Sequence, residues 1–401
     1  MTPASHELRR LLRYHPGWWG LTAALALVVI GILAIDTVAP SMARAQGARW
    51  LPIALVVMAV CLLPHPRVLG RLSYAIAIAA FALLVVLLVP FLPREIVPVI
   101  HGARRWIDLQ FMLAQPSELA KVALVLALAW YLRYRESYRT LRGLLVPWLF
   151  VMVPLALVVK QPDLGTAMVF LPTVAAMLVA AGAKLRHLIA LASVGVAVIG
   201  VNVALVAFDA PQSLRVLRPH QEARIAAMLW PERHRDRGAY QQTVATMLVG
   251  AGGVTGLGEA RSRTLLRFNH LPEAHNDMIF AVIANRWGLA GCGVVIGLYV
   301  MLVGSFCTVA GRSRDPYAKL VCVGFAAMIF TQAAIHMGIT VGLLPVTGLT
   351  LPMVSYGGSS LVATFVMVGL VMNFGSRRPT PLARPSFEFD GAGTGAEPAR
   401  V

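Results

Sequence analysis

Two acids and an imidazole lie close together in residues 271–277, directly before a long apolar run. They are Glu273, His275 and Asp277. A carboxylate at the mouth of an apolar helix suits a general base, which accepts a proton from a reacting hydroxyl group. Asp277 could equally cap the helix that follows. The segment alone leaves both interpretations open.

Two further segments combine an acid with a base. Glu118 and Lys121 follow Pro116, which suits a first helical turn, and their spacing of three places them on one helix face, where they can pair. The pair could serve function or fix one helix against another. Asp163 is placed to cap the next helix and to pair with Lys160. Capping alone would explain the acid but not the lysine.

The fourth polar segment, residues 342–360, is rich in proline and glycine and includes Ser355 and Ser359. Its position between two apolar runs predicts an irregular, re-entrant turn at membrane depth. Such backbone is tolerated only where protein or a water-filled cavity surrounds it. A ligand-lined cavity and a packing kink both remain as interpretations.

The composition places these segments in a membrane protein. Of the 401 residues, 58% are hydrophobic and only 13% are charged, whereas soluble domains carry about 25% charged residues. The net charge of +17 comes mostly from single Arg and Lys residues at the edges of apolar runs. That pattern is typical of topology determinants beside an anionic membrane. Nucleic-acid binding is not expected, because its sequence motifs are missing.

The apolar runs predict an all-α, polytopic fold of about ten transmembrane helices. The spans lie near 18–39, 50–64, 71–92, 116–132, 144–159, 165–182, 187–208, 278–310, 317–342 and 352–374. Basic residues follow every even-numbered span, so both termini are expected in the cytoplasm. Residues 1–378 form one predicted transmembrane domain, and residues 379–401 form a disordered cytoplasmic tail.

A long connection, residues 209–276, separates the seventh and eighth spans and is predicted to be extracytoplasmic. It carries nine arginines, but loops of this length translocate largely regardless of charge. Within it, residues 240–249 suit an interfacial amphipathic helix. The glycines of residues 250–258 predict a flexible stretch that could approach a ligand closely.

Five blocks in order closely resemble the SEDS family (shape, elongation, division and sporulation) of membrane glycosyltransferases that polymerise peptidoglycan. They cover most of the chain, from about residue 102 to residue 374. The blocks are GARRWIDL (102–109) with QPSELAK (115–121), QPDLGT (161–166), LRPHQEARI (217–225), LPEAHND (271–277) and PVTGLTLPMVSYGGSS (345–360).

The resemblance implies an activity and a set of residues. Family members join lipid II units outside the inner membrane, where a sugar hydroxyl displaces undecaprenyl pyrophosphate, and their catalytic Asp falls on Asp277. The leaving pyrophosphate needs positive charge from arginines or from a divalent cation such as Mg²⁺ or Mn²⁺. No residue is assigned to a metal site. The implied substrate-binding residues are Arg104, Arg105, Glu118, Lys121, Lys160, Asp163, Arg218, Arg224, Glu273, His275, Ser355 and Ser359.

Several residues depart from the family pattern. Asn276 stands where Thr usually precedes the catalytic Asp. Asn285 and Arg286 replace two acids that commonly follow it, which removes candidate groups for metal binding or helix pairing near the site. His336 stands where Asn is usual. Asp108 favours the elongation, RodA-like branch over the division, FtsW-like branch.

The resemblance also implies partners: lipid II, the undecaprenyl-linked glycan, the membrane lipid and a class B penicillin-binding protein that crosslinks the product. Two alternatives predict different behaviour. A lipid-linked-precursor transporter would move lipid II without making polymer. A non-catalytic cell-wall scaffold would still function with Asp277→Ala.

Overall fold

The structure is a computed structural model that describes residues 14–89, 91–100, 103–110, 113–135, 140, 142–208, 222, 226, 230 and 237–377. Within these residues the fold is helical except for one short hairpin, in which Ile107–Asp108 (β1) pairs antiparallel with Leu113–Ala114 (β2). The all-α expectation is confirmed. The predicted tail, residues 379–401, lies outside the described residues.

The helices run in chain order along the described segments. They are α1 Gly17–Val38, α2 Pro40–Ala45, a π-helical turn Gln46–Trp50, α3 Leu51–Cys61, α4 Pro66–Leu87, α5 Pro116–Leu132, a 3₁₀ turn Arg142–Leu144, α6 Leu145–Lys160, α7 Leu164–Ala181, α8 Leu185–Ala207, α9 Arg237–Gly252, α10 Gly258–Asn269, α11 Ile279–Arg312, α12 Pro316–Thr340 and α13 Gly358–Ser376.

Eight helices in the described residues are long and apolar enough to cross a membrane: α1, α4, α6, α7, α8, α11, α12 and α13. Two shorter helices, α3 with 11 residues and α5 with 17 residues, correspond to the second and fourth predicted spans. A short span is accommodated where the bilayer thins or neighbouring helices cover its ends. The ten predicted crossings are therefore accounted for.

Helix α5 lies in the centre of the bundle, where 15 of its 17 residues are buried. It packs against α4, α7 and α12. Its Ala and Leu residues surround the whole circumference, which is typical of a helix with protein on every side. Glu118 and Lys121 are therefore carried into the interior of the protein.

Helix α11 is interrupted at Gly288, whose φ of 65° and ψ of −160° lie outside the helical region. The turn of residues 253–257 fills the break, because the N–H groups of Leu289 and Ala290 donate to the carbonyls of Gly253 (2.9 Å) and Val254 (3.1 Å). A Cβ atom at position 288 would lie only 2.4 Å from that turn. The expected single span thus becomes a half-helix, residues 279–287, followed by a longer segment.

Two glycines in residues 250–258 allow close helix packing. Cβ atoms at Gly252 and Gly256 would lie 2.0 Å and 2.2 Å from the carbonyl oxygens of Ala284 and Arg286. At these two positions the close approach is to α11, and approach of the other glycines to a ligand stays a prediction. The expected helix at residues 240–249 is present as α9, but it packs along α11 and buries its Leu248 completely.

Residues 341–357 form the irregular segment that the sequence predicts, with no helix in their course. Gly342 and Gly348 have positive φ values of 84° and 76°. Helix α13 consequently begins at Gly358 and not near residue 352. This irregular segment lies at the same end of the bundle as the start of α11.

Candidate functional site

Asp277 lies immediately outside the half-helix of α11. The helix begins at Ile279, and its N-cap position is held by Met278 without any side-chain cap. Asp277 is half-buried, and its backbone N–H donates to the carbonyl of Glu273 at 3.0 Å. Asp277 is therefore not the N-cap residue of α11.

The Asp277 carboxylate lies against the irregular segment. A Cβ atom built on Gly348 would be 3.6 Å from Asp277 Oδ2, and the φ of Gly348 is in the left-handed region. Glycine adopts that conformation without steric cost. The structure thus brings together two segments that lie about seventy residues apart in the sequence.

Ser355 holds the chain that leads to Asp277. Its hydroxyl donates to the carbonyl of Asn276 (2.7 Å) and accepts from the N–H of Leu351 (2.8 Å). The N–H of Tyr356 donates to the carbonyl of His275 at 2.9 Å. Ser355 is buried. Its hydroxyl thus supports the Asp277 loop, and its contact with substrate stays a prediction.

Glu273 and His275 are adjacent to one another beside Asp277. Glu273 Oε2 accepts from the Asn276 amide at 3.2 Å and lies 3.8 Å from His275 Nε2. The His275 ring meets the Tyr356 ring edge-on, with the centroids 6.0 Å apart. Burial lowers the pKa of the His275 imidazole, and the Glu273 carboxylate opposes part of that shift. Burial therefore favours the neutral form of the imidazole.

The lowered pKa of His275 predicts that the folded protein loses stability in acid. Below the ordinary histidine pKa of about 6.5, the unfolded chain takes up a proton at His275 more readily than the folded chain does, so stability falls as the pH drops. Between pH 7.5 and 5.5 the melting temperature of the wild type should fall more steeply than that of His275→Gln. His270→Asn changes an exposed histidine on the same loop and should retain the wild-type slope. Equal slopes for His275→Gln and wild type would contradict this role of burial.

Asp163 is a buried N-cap, as the sequence predicts, but the expected pair with Lys160 is not formed. Its carboxylate accepts from the Thr166 N–H (3.2 Å), the Thr166 hydroxyl (2.9 Å) and the Ser117 hydroxyl (3.2 Å). Lys160 is exposed. The carboxylate is satisfied by short local donors and by α5, so Lys160 is left at the surface.

Arg105 and Arg104 bind backbone carbonyls in the structure. Arg105 donates from Nε to the carbonyl of Gln161 at 3.0 Å and from Nη2 to the carbonyl of Pro162. Arg104 Nη1 donates to the carbonyl of Val89 at 2.9 Å. Both guanidinium groups thus hold connections at this end of the bundle. The other predicted pyrophosphate ligands, Arg218 and Arg224, lie outside the described residues.

Glu118 and Lys121 form the predicted ion pair, with 2.8 Å between Oε1 and Nζ, and their side chains are 6% and 1% exposed. Lys121 also donates to Gln332 Oε1 on α12 at 2.9 Å. The Gln332 amide donates in turn to the carbonyl of Thr350 at 2.9 Å. The buried pair therefore connects α5, through α12, to the irregular segment beside Asp277.

Ser359 joins the hairpin to the start of α13. Its hydroxyl donates to the carbonyl of Leu113 (2.8 Å) and accepts from the N–H of Gln115 (3.2 Å). One side chain thereby fixes both the end of β2 and the residue before α5. Both hydroxyl contacts are structural, which leaves its predicted role in substrate binding as a prediction.

Two adjacent glutamines on α9 also position the site, and the sequence did not single them out. Gln241 donates to the carbonyl of Pro272 at 3.1 Å, and Gln242 donates to the carbonyl of Leu344 at 2.7 Å. Both side chains are buried. The signal for them was a pair of amides in a mostly apolar helix, where a buried amide requires hydrogen-bond partners.

Comparison with known proteins identifies the family of this arrangement. The FtsW/RodA/SpoVE family model, described as cell cycle protein, matches residues 16–378. The chain belongs to the FtsW/RodA/SpoVE family. The resemblance to the SEDS proteins is thereby confirmed.

Three relatives of this FtsW/RodA/SpoVE protein illustrate the likeness. A probable peptidoglycan glycosyltransferase FtsW of Coxiella burnetii is 30% identical over 369 residues, which are 88% of this chain and 94% of that protein. A solved structure described as the structural coordination of polymerization and crosslinking by a peptidoglycan synthase complex contains a chain that is 31% identical to this one. The TM-score is 0.73, over 88% of this chain and 96% of that chain. RodA of Thermus thermophilus is 28% identical, with a TM-score of 0.63 over 91% and 98%.

The names of these relatives include both FtsW and RodA, so the preference for the elongation branch stays a prediction. Asp108, on which it rested, accepts from the N–H of Gln110 at 2.7 Å. That contact forms the turn of the hairpin, which gives the residue a local structural role in this family member.

The departures from the family pattern have defined partners. Asn285 accepts from the Ser262 hydroxyl (2.7 Å) and donates to the carbonyl of Leu248 (3.0 Å). Arg286 pairs with Glu259 of α10 at 2.6 Å. Both residues therefore connect α11 to neighbouring helices. The His336 ring lies 2.7 Å from the carbonyl of Leu349, through Nδ1.

A divalent cation was a further expectation for this site. In the part of the chain that the structure describes, no three His, Cys, Asp or Glu side chains are grouped so that they could hold a metal ion. The divalent cation therefore stays a prediction.

Proposed function

We propose that this peptidoglycan glycosyltransferase uses Asp277 as its general base when it polymerises lipid II into glycan strands for cell elongation or division. The observation that carries the proposal is the position of Asp277. It is a half-buried carboxylate outside a half-helix, adjacent to Gly348 in an irregular segment. Irregular backbone at this depth is tolerated where it lines a cavity or is enclosed by protein.

The reaction joins two lipid-linked sugars. A hydroxyl oxygen of one lipid II attacks the anomeric carbon of the other glycan, a new glycosidic C–O bond forms, and the C–O bond to undecaprenyl pyrophosphate breaks. Asp277 accepts the hydroxyl proton. The pyrophosphate leaves as a stable anion, so the second carboxylic acid that glycosidases use for an alcohol leaving group is not required.

The surroundings of Asp277 restrict its movement. The carbonyls of His275 and Asn276 are held by Tyr356 and Ser355, and Pro272 is held by Gln241. A base that is fixed before substrate binds loses less entropy in the transition state and makes fewer unproductive contacts. These hydrogen bonds support a role for the loop in catalysis rather than in simple helix connection.

Positive charge for the leaving pyrophosphate is proposed to come from Arg104, Arg105, Arg218 or Arg224. Arg105 has two donors bound to backbone carbonyls, and Arg104 has one. Each guanidinium keeps further N–H donors, and guanidinium groups bind phosphate oxygens in a bidentate manner. A divalent cation bound to the substrate pyrophosphate is the other proposed source.

We further propose that Asp277 faces the outside of the bacterial inner membrane, with both termini in the cytoplasm, and that a class B penicillin-binding protein is the partner. The distribution of basic residues supports the orientation. Structural similarity to a component of a peptidoglycan synthase complex supports a crosslinking partner.

Fluorescent lipid II added to the purified full-length chain with its cognate transpeptidase tests the function. Glycan strands that muramidase digests are the expected product. A transporter would instead move lipid II across proteoliposomes and leave it unpolymerised. Movement without polymer, under conditions where a known polymerase makes strands, would replace the glycosyltransferase assignment with the transporter assignment.

Gly348→Ala should slow polymerisation. The left-handed φ costs an alanine about 1–2 kcal/mol, and the added methyl group would be in van der Waals contact with Asp277 Oδ2, 3.6 Å away, so backbone movement that relieves the strain would shift the base. We expect kcat to fall by about tenfold or more, since displacements of about 1 Å can cost 10²-fold. The measurement is initial rate against lipid II concentration.

Gly250→Ala is the matched control for this substitution. Gly250 lies in α9 with nothing within 4 Å of its added Cβ and without a positive φ. Its kcat should equal that of the wild type. If Gly348→Ala were as active as Gly250→Ala, close contact between Gly348 and the base would have no part in catalysis.

A further inference from the structure

Four charged side chains meet where α1, α10 and the half-helix of α11 converge: Asp36, Glu259, Arg263 and Arg286. Arg286 Nη2 lies 2.6 Å from Glu259 Oε2, and Arg263 Nη2 lies 3.0 Å from both Glu259 Oε1 and Asp36 Oδ2. Two acids and two bases balance in charge. We call these four residues the α1–α10–α11 cluster.

Arg286 is the least exposed member of the cluster, with 11% of its side chain accessible. Its second terminal nitrogen, Nη1, donates to the carbonyl of Leu33 (2.6 Å) and to the hydroxyl of Thr37 (2.8 Å). Both acceptors lie in the last turns of α1, where the partial negative charge of a helix C-terminus favours a cation. One guanidinium group therefore binds α1 and α10 at the same time.

Arg286 and Asp277 lie at opposite ends of the same short half-helix, so a contact of Arg286 can affect the position of Asp277. Asp277 lies at one end of the half-helix, and Arg286 lies at the other, directly before Trp287 and the break at Gly288. Nine helical residues span only about 13 Å. The half-helix is separated from the rest of α11 by the break, so its position depends on what holds its two ends: Ser355 and Tyr356 before it, and the contacts of Arg286 after it.

The neighbour Asn285 holds the same end by a second route. Its side chain is fully buried and bonds to Ser262 and to the carbonyl of Leu248. Its own carbonyl accepts from the N–H of Leu257 at 2.9 Å. Asn285 thus fixes the half-helix to α9 and α10, whereas Arg286 adds α1, the first transmembrane helix.

We propose that Arg286, together with Glu259, is a positioning residue that sets the half-helix, and with it Asp277, relative to α1 and the irregular segment. Its effect on catalysis rests on the proposed function of Asp277. The contact fits this chain in particular, because Asn285 and Arg286 stand where the family commonly has two acids. In this chain the ionic connection is made by Arg286 and Glu259.

Two readouts test the proposal in the full-length chain with its transpeptidase. For Arg286→Ala we expect faster amide hydrogen exchange in residues 276–287, with α13 unchanged. We also expect kcat to fall by about tenfold at nearly constant KM, as misplacement of a base predicts. Arg286→Lys keeps the charge and should recover part of both effects. Glu259→Gln, at an exposed position, should reproduce a smaller version of them.

Arg261→Ala is the control on α10, because Arg261 is exposed and lies outside the α1–α10–α11 cluster. It should behave as wild type in both readouts. Unchanged exchange in both Arg286→Ala and Glu259→Gln would overturn the positioning role, whatever the activity. Absence of polymer from the wild type would instead defeat the proposed function, while the exchange data would still decide whether Arg286 holds the half-helix.

Discussion

Replacing Asp277 by asparagine should reduce the rate of glycan synthesis by about 10²- to 10⁴-fold, the usual contribution of a general base. Asparagine keeps the size and hydrogen-bonding shape of the side chain but cannot accept the proton of the attacking hydroxyl group. Lipid II binding and the melting temperature should change little. The measurement is the initial rate of polymerisation with saturating fluorescent lipid II.

Glu95→Gln is the matched control for the loss of a carboxylate. Glu95 is exposed and lies in the connection between α4 and α5, at the same end of the bundle as Asp277. Its neutral variant should polymerise lipid II at the wild-type rate. If Asp277→Asn retained more than about a tenth of that rate, a loss smaller than a general base contributes, another group would have to accept the proton.

Lys121→Met should be the most destabilising of these single substitutions, at about 3–5 kcal/mol, because it leaves the Glu118 carboxylate buried without its counter-ion. Gln332 would lose its donor as well. The double variant Glu118→Gln with Lys121→Met removes both charges and should recover most of the loss. The free energy of unfolding in mixed micelles measures each effect.

Lys160→Met is the control for this second prediction, since Lys160 is exposed and forms no pair with Asp163. Exposed substitutions of this kind change stability by about 0.5 kcal/mol or less. An equal cost for Lys121→Met and Lys160→Met would mean that the buried pair contributes nothing to the bundle. A double variant no more stable than Lys121→Met would show that shape, not charge, sets the cost.

The helical fold could be predicted because long apolar runs have few alternatives in a bilayer. The break in α11 could not. Gly288 is one glycine among several in an apolar run, and only the turn of residues 253–257, brought in by the fold, supplies the hydrogen bonds that replace the helical ones. Some helix ends also differ from the prediction because tertiary contacts determine them. Helix α13, for example, begins at Gly358 and not near residue 352.

The site was predictable only where contacts are local. The spacing of Glu118 and Lys121 determined their pairing, and the position of Asp163 determined its capping of α7. The pair of Lys160 with Asp163 was wrong because Ser117, 46 residues away, supplies one of the donors instead. Ser355 and Asn276 are 79 residues apart in the sequence. Hydrophobic periodicity predicts helices and strands but not contacts between residues so far apart.

Polymerisation at the outer face requires Asp277 to face the outside of the membrane, and cysteine labelling decides this. In a variant that lacks the four native cysteines, Phe268→Cys marks the end that carries Asp277, and Tyr134→Cys marks the opposite end, after α5; the two side chains are 81% and 74% exposed. A membrane-impermeant thiol reagent added to intact spheroplasts should label position 268 and spare position 134. Labelling of position 134 alone would place the carboxylate in the cytoplasm and contradict polymerisation at the outer face.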